Sequence, residues 1–336
     1  MTGDSGRSGP PGEWPGGRRR TGRWFAWVVL ATVALALAAC GDDTDPPPST
    51  TAGADAAPEI ERYDVEAARE TLVDPSRATP SNGSFPGAAS RTVETQIYRP
   101  VVPEAVETGD GFPLVLFSHG IDDDYERYDE VLREWAAAGY VVAAPNFPLS
   151  RKGAPGGPTL SDLDNQPGDL QFVIDEVRRL ADEPDHELAG LVGDATALAG
   201  KSFGAITTLQ AVYGPDPIDG PVDAVVSMAG YMDDTSAVDR AESPLLMIHG
   251  DRDERVPYQS SVEVFGLANP PKYLLTLTGE GHTGAYNGGE EPVEVLVPRA
   301  SLDFLDAYVK GDAAALDRVV DDSAVPGVAT LDAVPA

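Results

Sequence analysis

Ser202 lies in Gly200-Lys201-Ser202-Phe203-Gly204, a G-x-S-x-G pattern, and it is the first place in this chain where chemistry can be read from residue type and spacing. An apolar stretch, Ala195 to Ala199, runs into the pattern, and Ile206-Thr207-Thr208-Leu209 follows it. That is strand, sharp turn, then helix, the setting in which such a serine is lifted out of the backbone as a nucleophile. The turn forces the serine into a strained conformation, and Cβ atoms at Gly200 or Gly204 would obstruct the backbones that pass beside it. With 35 glycines in the chain the five-residue pattern alone decides little. A serine hydroxyl needs a base to take its proton and a carboxylate to orient that base, so the partners decide.

There are four histidines from which to draw the base. His186 sits in the polar run Asp182-Glu183-Pro184-Asp185-His186-Glu187 and reads as a surface residue. His119 and His249 each end an apolar strand ahead of a glycine, and His282 lies in the loop Gly279-Glu280-Gly281-His282-Thr283-Gly284. In an open parallel sheet reactive groups gather beyond the carboxyl ends of the strands. When the nucleophile sits on such an elbow, acid and base follow it along the chain in that order. His282 alone follows both Ser202 and a strand-end carboxylate. Three acids compete at that strand end, Asp251, Asp253 and Glu254. The backbone N–H groups available to a developing oxyanion are those of Phe203, next to the serine, and Ile121, in the loop Ser118-His119-Gly120-Ile121 after an earlier strand. His119 then holds that loop.

The elements that must position these groups alternate. Arg91 to Tyr98 reads as an early strand, and Phe112 to Phe117 is a continuous apolar run of the kind buried on both faces. Tyr128, Val131, Leu132 and Trp135 fall on one face of a helix that Gly139 ends, and Tyr140 to Pro145 is the next strand. A Gly/Pro-rich loop, 146–166, either shapes the substrate pocket through Phe147 and Leu149 or simply connects. Pro167 opens a helix, and after the elbow strands at 222–228, 244–249 and 272–277 alternate with helices at 258–267 and around Leu302, Leu305 and Val309. The expectation is a single α/β domain over 59–310, with a mostly parallel central sheet and helices on both faces. Residues 311–336, acidic and rich in Ala and Pro, read as a peripheral C-terminal tail.

Composition narrows the function. The formal charge is −31, and residues 1–39 carry five Arg against Asp4 and Glu13, so the remainder carries about −34. Such a surface repels phosphate backbones and argues against nucleic acid as a partner. Asp122-Asp123-Asp124 and Asp233-Asp234 lack the regular spacing of calcium ligands and read as solvated loop acids, with Asp122 or Asp123 starting the helix that follows. The one cysteine, Cys40, excludes an intrachain disulfide, a cysteine metal cluster and a cysteine nucleophile in the folded domain.

Arg18-Arg19-Arg20 precedes an apolar run, Trp24 to Ala39, that stops at Leu37-Ala38-Ala39-Cys40. A basic start, a short apolar stretch and small residues at its end make residues 1–39 a secretory signal. The run is short of the roughly 20 residues a membrane span needs. Leu-Ala-Ala-Cys resembles the bacterial lipoprotein lipobox, which implies lipidation of Cys40 as the mature N-terminus, export, and an outward-facing membrane anchor. Residues 41–58, rich in Asp, Pro, Ser and Thr, read as a disordered tether.

From about Thr92 to Val309 the chain resembles the α/β-hydrolase superfamily, and within it the group of platelet-activating-factor acetylhydrolase-like enzymes, chlorophyllases and dienelactone-hydrolase-like proteins. The matching pieces are Pro113 to Gly120, Gly139 to Pro145, Gln166-Pro167-Gly168-Asp169-Leu170 and the elbow. The run His249-Gly250-Asp251-Arg252-Asp253-Glu254-Arg255-Val256-Pro257 is similar to the acid loop of many such enzymes, and that similarity selects Asp253 over Asp251. The resemblance implies a serine esterase or lipase acting on a small ester or lipid with no metal or organic cofactor. In that reading Ser202 is nucleophile, Asp253 acid, His282 base, and Ile121 and Phe203 supply the oxyanion amides. Lys201 stands where these relatives commonly have His, and Ala205 where they commonly have Gly. An amidase or peptidase with the same triad, and a non-catalytic lipoprotein that keeps the fold for binding, are the alternatives.

Overall fold

The computed structural model describes residues 62–103 and 109–335. The leader, Cys40 and the tether 41–58 lie outside the described residues, as do 59–61.

Nine strands form one sheet in the order β1-β2-β4-β3-β5-β6-β7-β8-β9. β1 (Asp64–Asp74) and β2 (Arg91–Val101) pair antiparallel at one edge. Six parallel strands follow: β4 (Val141–Asn146), β3 (Phe112–Ser118), β5 (Val192–Lys201), β6 (Ala224–Met228), β7 (Leu245–Gly250) and β8 (Lys272–Leu277). β9 (Ala329–Val334) closes the other edge antiparallel to β8.

The central strands are continuously apolar because both of their faces are covered. Side chains alternate across a strand, and the alternation divides the interior into two cores. Val115 and Phe117 of β3, with Leu246 and Ile248 of β7, pack beneath α1 (Asp129–Ala137), α5 (Pro292–Val309) and α6 (Ala313–Asp322). Leu114 and Leu116, with Leu245 and Met247, pack beneath α2 (Gln166–Ala181), α3 (Phe203–Tyr213) and α4 (Tyr258–Leu267). Each fully buried side chain of this size contributes about 1.5–3 kcal/mol.

The expectation that residues 311–336 form a peripheral tail is corrected here. Asp312 caps α6, its Oδ1 accepting from Ala314 N at 2.9 Å, and α6 buries Ala315 and Val319. β9 then pairs along the whole of β8, from Ala329 opposite Leu277 to Val334 opposite Lys272. The strand is hard to read because an edge strand buries so little: Ala329 is buried, Leu331 is half-buried, and Ala333 is exposed. β1 hides for the same reason. It is an edge strand lined with Glu66, Arg69 and Glu70, and charge of this kind keeps an exposed edge from pairing with other chains.

The loop 146–166 is pinned to the body. Arg91, at the start of β2, is fully buried and forks onto two carboxylates. Its Nε and Nη2 lie 2.6 Å from the two oxygens of Asp169, and Nη1 and Nη2 lie 3.0 and 2.7 Å from those of Asp162. Arg77 adds a second contact to Asp169 at 2.9 Å. The Asn82 amide is spent on the carbonyls of Pro155 and Gly157. Gln166 Nε2 donates to Ser150 Oγ at 2.8 Å, and Thr207 of α3 donates to Gln166 Oε1, so the loop, α2 and α3 are one hydrogen-bonded unit.

The chain leaves β3 through α1 for β4 on one side, and returns through α2 to β5 on the other side of β3. This reversal opens a crevice beyond the carboxyl ends of β3 and β5, the place where open α/β sheets bind ligands.

Replacing Arg91 by Met strands two buried carboxylates. We expect a loss of about 3–5 kcal/mol in urea unfolding, whereas Arg91→Lys recovers part of it.

Candidate active site

Ser202 sits at the reversal, between the end of β5 and the first turn of α3. Its backbone is held at φ 56, ψ −120, a region that costs a side-chain-bearing residue about 1–3 kcal/mol. Close packing keeps it there. A Cβ on Gly204 would come within 2.0 Å of Ser118 O, and one on Gly200 within 2.4 Å of Gly204 O. Ser202 N donates to Met228 O at 2.8 Å, which ties the turn to the neighbouring strand.

Three of the sequence-predicted residues come together. Ser202 Oγ donates to His282 Nε2 at 2.7 Å, and His282 Nδ1 donates to Asp253 Oδ2 at 2.6 Å. All three are at least nine-tenths buried. Asp253 comes from the loop after β7 and His282 from the loop after β8. The second oxygen of Asp253 accepts the backbone N–H of Arg255 at 2.8 Å and of Val256 at 2.9 Å. Burial alone would push this carboxyl up, but those amides and His282 outweigh it and hold it below its ordinary value, ionised.

Asp251, the competing acid, turns away. It is exposed, and its Oδ1 accepts Gly279 N at 2.7 Å, fastening the turn before His282. The expectation that Asp122 or Asp123 starts the following helix is also corrected. Asp124 caps it, accepting Glu126 N at 3.1 Å, because its side chain reaches the free amide of the first turn.

His249, read only as ending a strand, is the residue sequence reasoning passed over. Its Nε2 lies 3.2 Å from Asp253 Oδ2 and 3.0 Å from Val256 O, two acceptors, so that nitrogen carries the proton. Nδ1 lies 2.6 Å from Ser261 Oγ. Burial keeps the ring neutral. A neutral donor behind Asp253 leaves the carboxylate's charge for His282 alone. The signal lay in the four-residue spacing from His249 to Asp253, which brings both side chains back to one strand end.

His119 closes the opposite wall. Its Nε2 accepts Phe147 N at 3.1 Å, so Nδ1 carries the proton and donates to Gly120 O at 2.7 Å. It is fully enclosed, and burial pulls it down to about 4, so it stays neutral as a brace for the Gly120–Ile121 loop. Ile121 lines the cleft with Ser202 and His282, and its N–H is not taken up by the loop's own hydrogen bonds. Phe203 N belongs to the first turn of α3, whose amides have no helical acceptor. Ile121 thus shares the cleft with Ser202, and Phe203 follows Ser202 in the chain. His186 is half-buried, far along the fold, and fastens a turn through Leu188 N.

The cleft has a volume of about 300 Å³. None of the residues of loop 146–166 lines it; Phe147 and Leu149 are buried in the body instead. A larger hollow of about 420 Å³ lies between the start of α2 and the end of α3, lined by Pro167, Gln210, Gly214 and Met232, and holds no nucleophile with a base beside it.

The electrostatics favour a neutral base. Burial lowers the pKa of His282, the hydrogen bond to Asp253 raises it, and the Lys201 ammonium lowers it again, with a net fall below the ordinary value of 6.5. Lys201 is buried beside the elbow with its Nζ 5.8 Å from the centre of the Tyr286 ring. Burial, then repulsion from Arg127, pulls this lysine down to about 8.

Two outcomes follow. Any turnover that needs neutral His282 should rise with pH through a midpoint below 6.5. Lys201→Met removes a cation that disfavours imidazolium, so the midpoint moves to higher pH, read from kcat/KM against pH. Asp253→Asn should lower kcat by about 10³–10⁴, while Asp251→Asn stays within a few-fold of the parent.

No protein-family model matches the chain, and no curated protein matches it either.

Proposed function

We propose that the chain is a serine hydrolase of carboxylic esters with an α/β-hydrolase domain, exported and anchored to the outer face of a membrane through lipid on Cys40. One observation carries the catalytic reading: the continuous run from Ser202 Oγ through His282 to Asp253 at 2.7 and 2.6 Å, set at the reversal of the sheet. The chain order Ser202, Asp253, His282 agrees with it, as do the two amides beside the nucleophile. The anchor rests on Leu37-Ala38-Ala39-Cys40 alone.

In the first half-reaction Ser202 Oγ bonds to the ester carbonyl carbon as its proton passes to His282 Nε2. The carbonyl oxygen becomes an anion that the Ile121 and Phe203 N–H groups stabilise. Collapse of that adduct breaks the bond to the alcohol oxygen, which leaves with the proton from His282 Nε2. Water then attacks the acyl-serine carbonyl, giving its proton to Nε2. The second adduct releases the acid, and the proton returns to Ser202 Oγ. Asp253 stays ionised throughout, fixing the tautomer and stabilising the imidazolium.

The full chain should hydrolyse short p-nitrophenyl esters, and Ser202→Ala should lower kcat by about 10⁴ or more. A fluorophosphonate should label wild type on the Ser202 peptide and leave the alanine variant unlabelled. Turnover or labelling that survives the substitution sinks the proposal.

A further inference from the structure

We propose that Lys201, Arg127 and Arg255 form an anion subsite in the wall of the Ser202 cleft, so that the ester taken there carries a negative charge on its acyl or its alcohol part. The inference rests on the esterase reading above for the word ester; the subsite itself rests on the cleft.

Lys201 ends β5 on the same side as Ala197 and Ala199, which face the α1–α5 core, so its chain rises beside Tyr286 into the cleft. It is only 5% exposed. An ammonium so enclosed is costly without a partner. The carboxylates that act on it, Asp123 and Asp253, are committed elsewhere. Asp123 Oδ2 lies 3.5 Å from Arg127 Nε and accepts Tyr128 Oη at 3.0 Å. Asp253 is taken up by His282 and by two backbone amides. No ion pair joins Lys201 to either one among the described residues.

Arg127 and Arg255 are exposed side chains on the same cleft, one from each flank of the nucleophile. The lining also includes Asp122 and Asp123, and with Asp253, ionised behind His282, three cations meet three carboxylates at the site. Asp122 is exposed on the loop, and Asp123 is spent on Arg127 and Tyr128. In a chain of net charge −31, three cations converging on one small cleft bring its local balance close to neutral. A free anion is repelled by the protein at large, so the subsite works at contact range, where a singly charged group meets Lys201 directly. The volume of about 300 Å³ suits a short half-ester better than a long acyl chain.

The test uses matched pairs: p-nitrophenyl hemisuccinate against p-nitrophenyl butyrate for charge on the acyl side, and acetate esters of 4-hydroxybenzenesulfonate and of 4-nitrophenol for the alcohol side. Hydrolysis is measured near neutral pH, and binding of each ester to Ser202→Ala by calorimetry. The full chain should prefer the anionic member of one pair, and the pair that shows it locates the subsite. Lys201→Met should cut that preference, as a ratio of kcat/KM values, by about tenfold or more, and added salt should weaken it. Arg255→Gln, at an exposed position, should cut it less, and Lys201→Arg should retain part of it. A lysine that only tunes His282 moves both members of a pair equally. Equal kcat/KM within both pairs, or a preference untouched by Lys201→Met, overturns the subsite and leaves the esterase reading standing. A binding preference in Ser202→Ala that depends on Lys201, with no Ser202-dependent hydrolysis of any ester, keeps the subsite and removes the esterase.

Discussion

The site depends on one forced backbone conformation. Ser202 holds a positive φ that its own side chain opposes, and nothing local repays the cost. The surroundings hold it by leaving no alternative. Gly204 lies against the carbonyl of Ser118, Gly200 against Gly204, and the Ser202 amide is bonded to the next strand. Two parallel strands, a helix and a loop must all be in place before the hydroxyl points into the crevice. The strain is a property of the packed sheet and is lost with it.

The same packing sets the charges. Asp253 is desolvated, which by itself would favour its neutral form, yet it receives hydrogen bonds on both oxygens. His249 and His119, one on each wall, are kept neutral by burial and by the acceptors and donors around them. Only His282 faces both the carboxylate and the hydroxyl, so a proton taken from Ser202 goes to that ring. Lys201 opposes that transfer and favours the neutral ring, since a cation at the elbow penalises a second positive charge on His282.

Much of this was legible in the sequence where burial leaves a pattern. The continuous apolar runs at 112–117 and 245–248 mark strands covered on both faces, and the elbow declares itself through two glycines at fixed spacing. His282 followed by elimination, because only four histidines exist. Edge strands were not legible: β1 and β9 bury few side chains, and their pairing is made by backbone groups that every sequence possesses. The buried Arg91 cluster was invisible for another reason. Arg91, Asp162 and Asp169 are ordinary surface residue types, and only the fold brings them within bonding distance over separations of 71 and 78 positions. The place of loop 146–166 followed from that cluster, to which the loop gives Asp162, and from its bonds to Asn82 and Gln166.

The ninth strand has a consequence for how the molecule comes into being. β9 covers the open edge of β8, and the loop that carries His282 leaves from the end of β8. During synthesis this covering segment emerges after the other eight strands of the sheet, and until it does β8 presents a row of unpaired amides and carbonyls. The turn at Ser202 can be assembled from residues already made, but the strand that carries the His282 loop has an unprotected border throughout that interval. Exposed strand borders pair readily with other chains. The segment from Ala329 to Val334 therefore acts as a guard on the newborn protein, covering the border of β8 once it pairs.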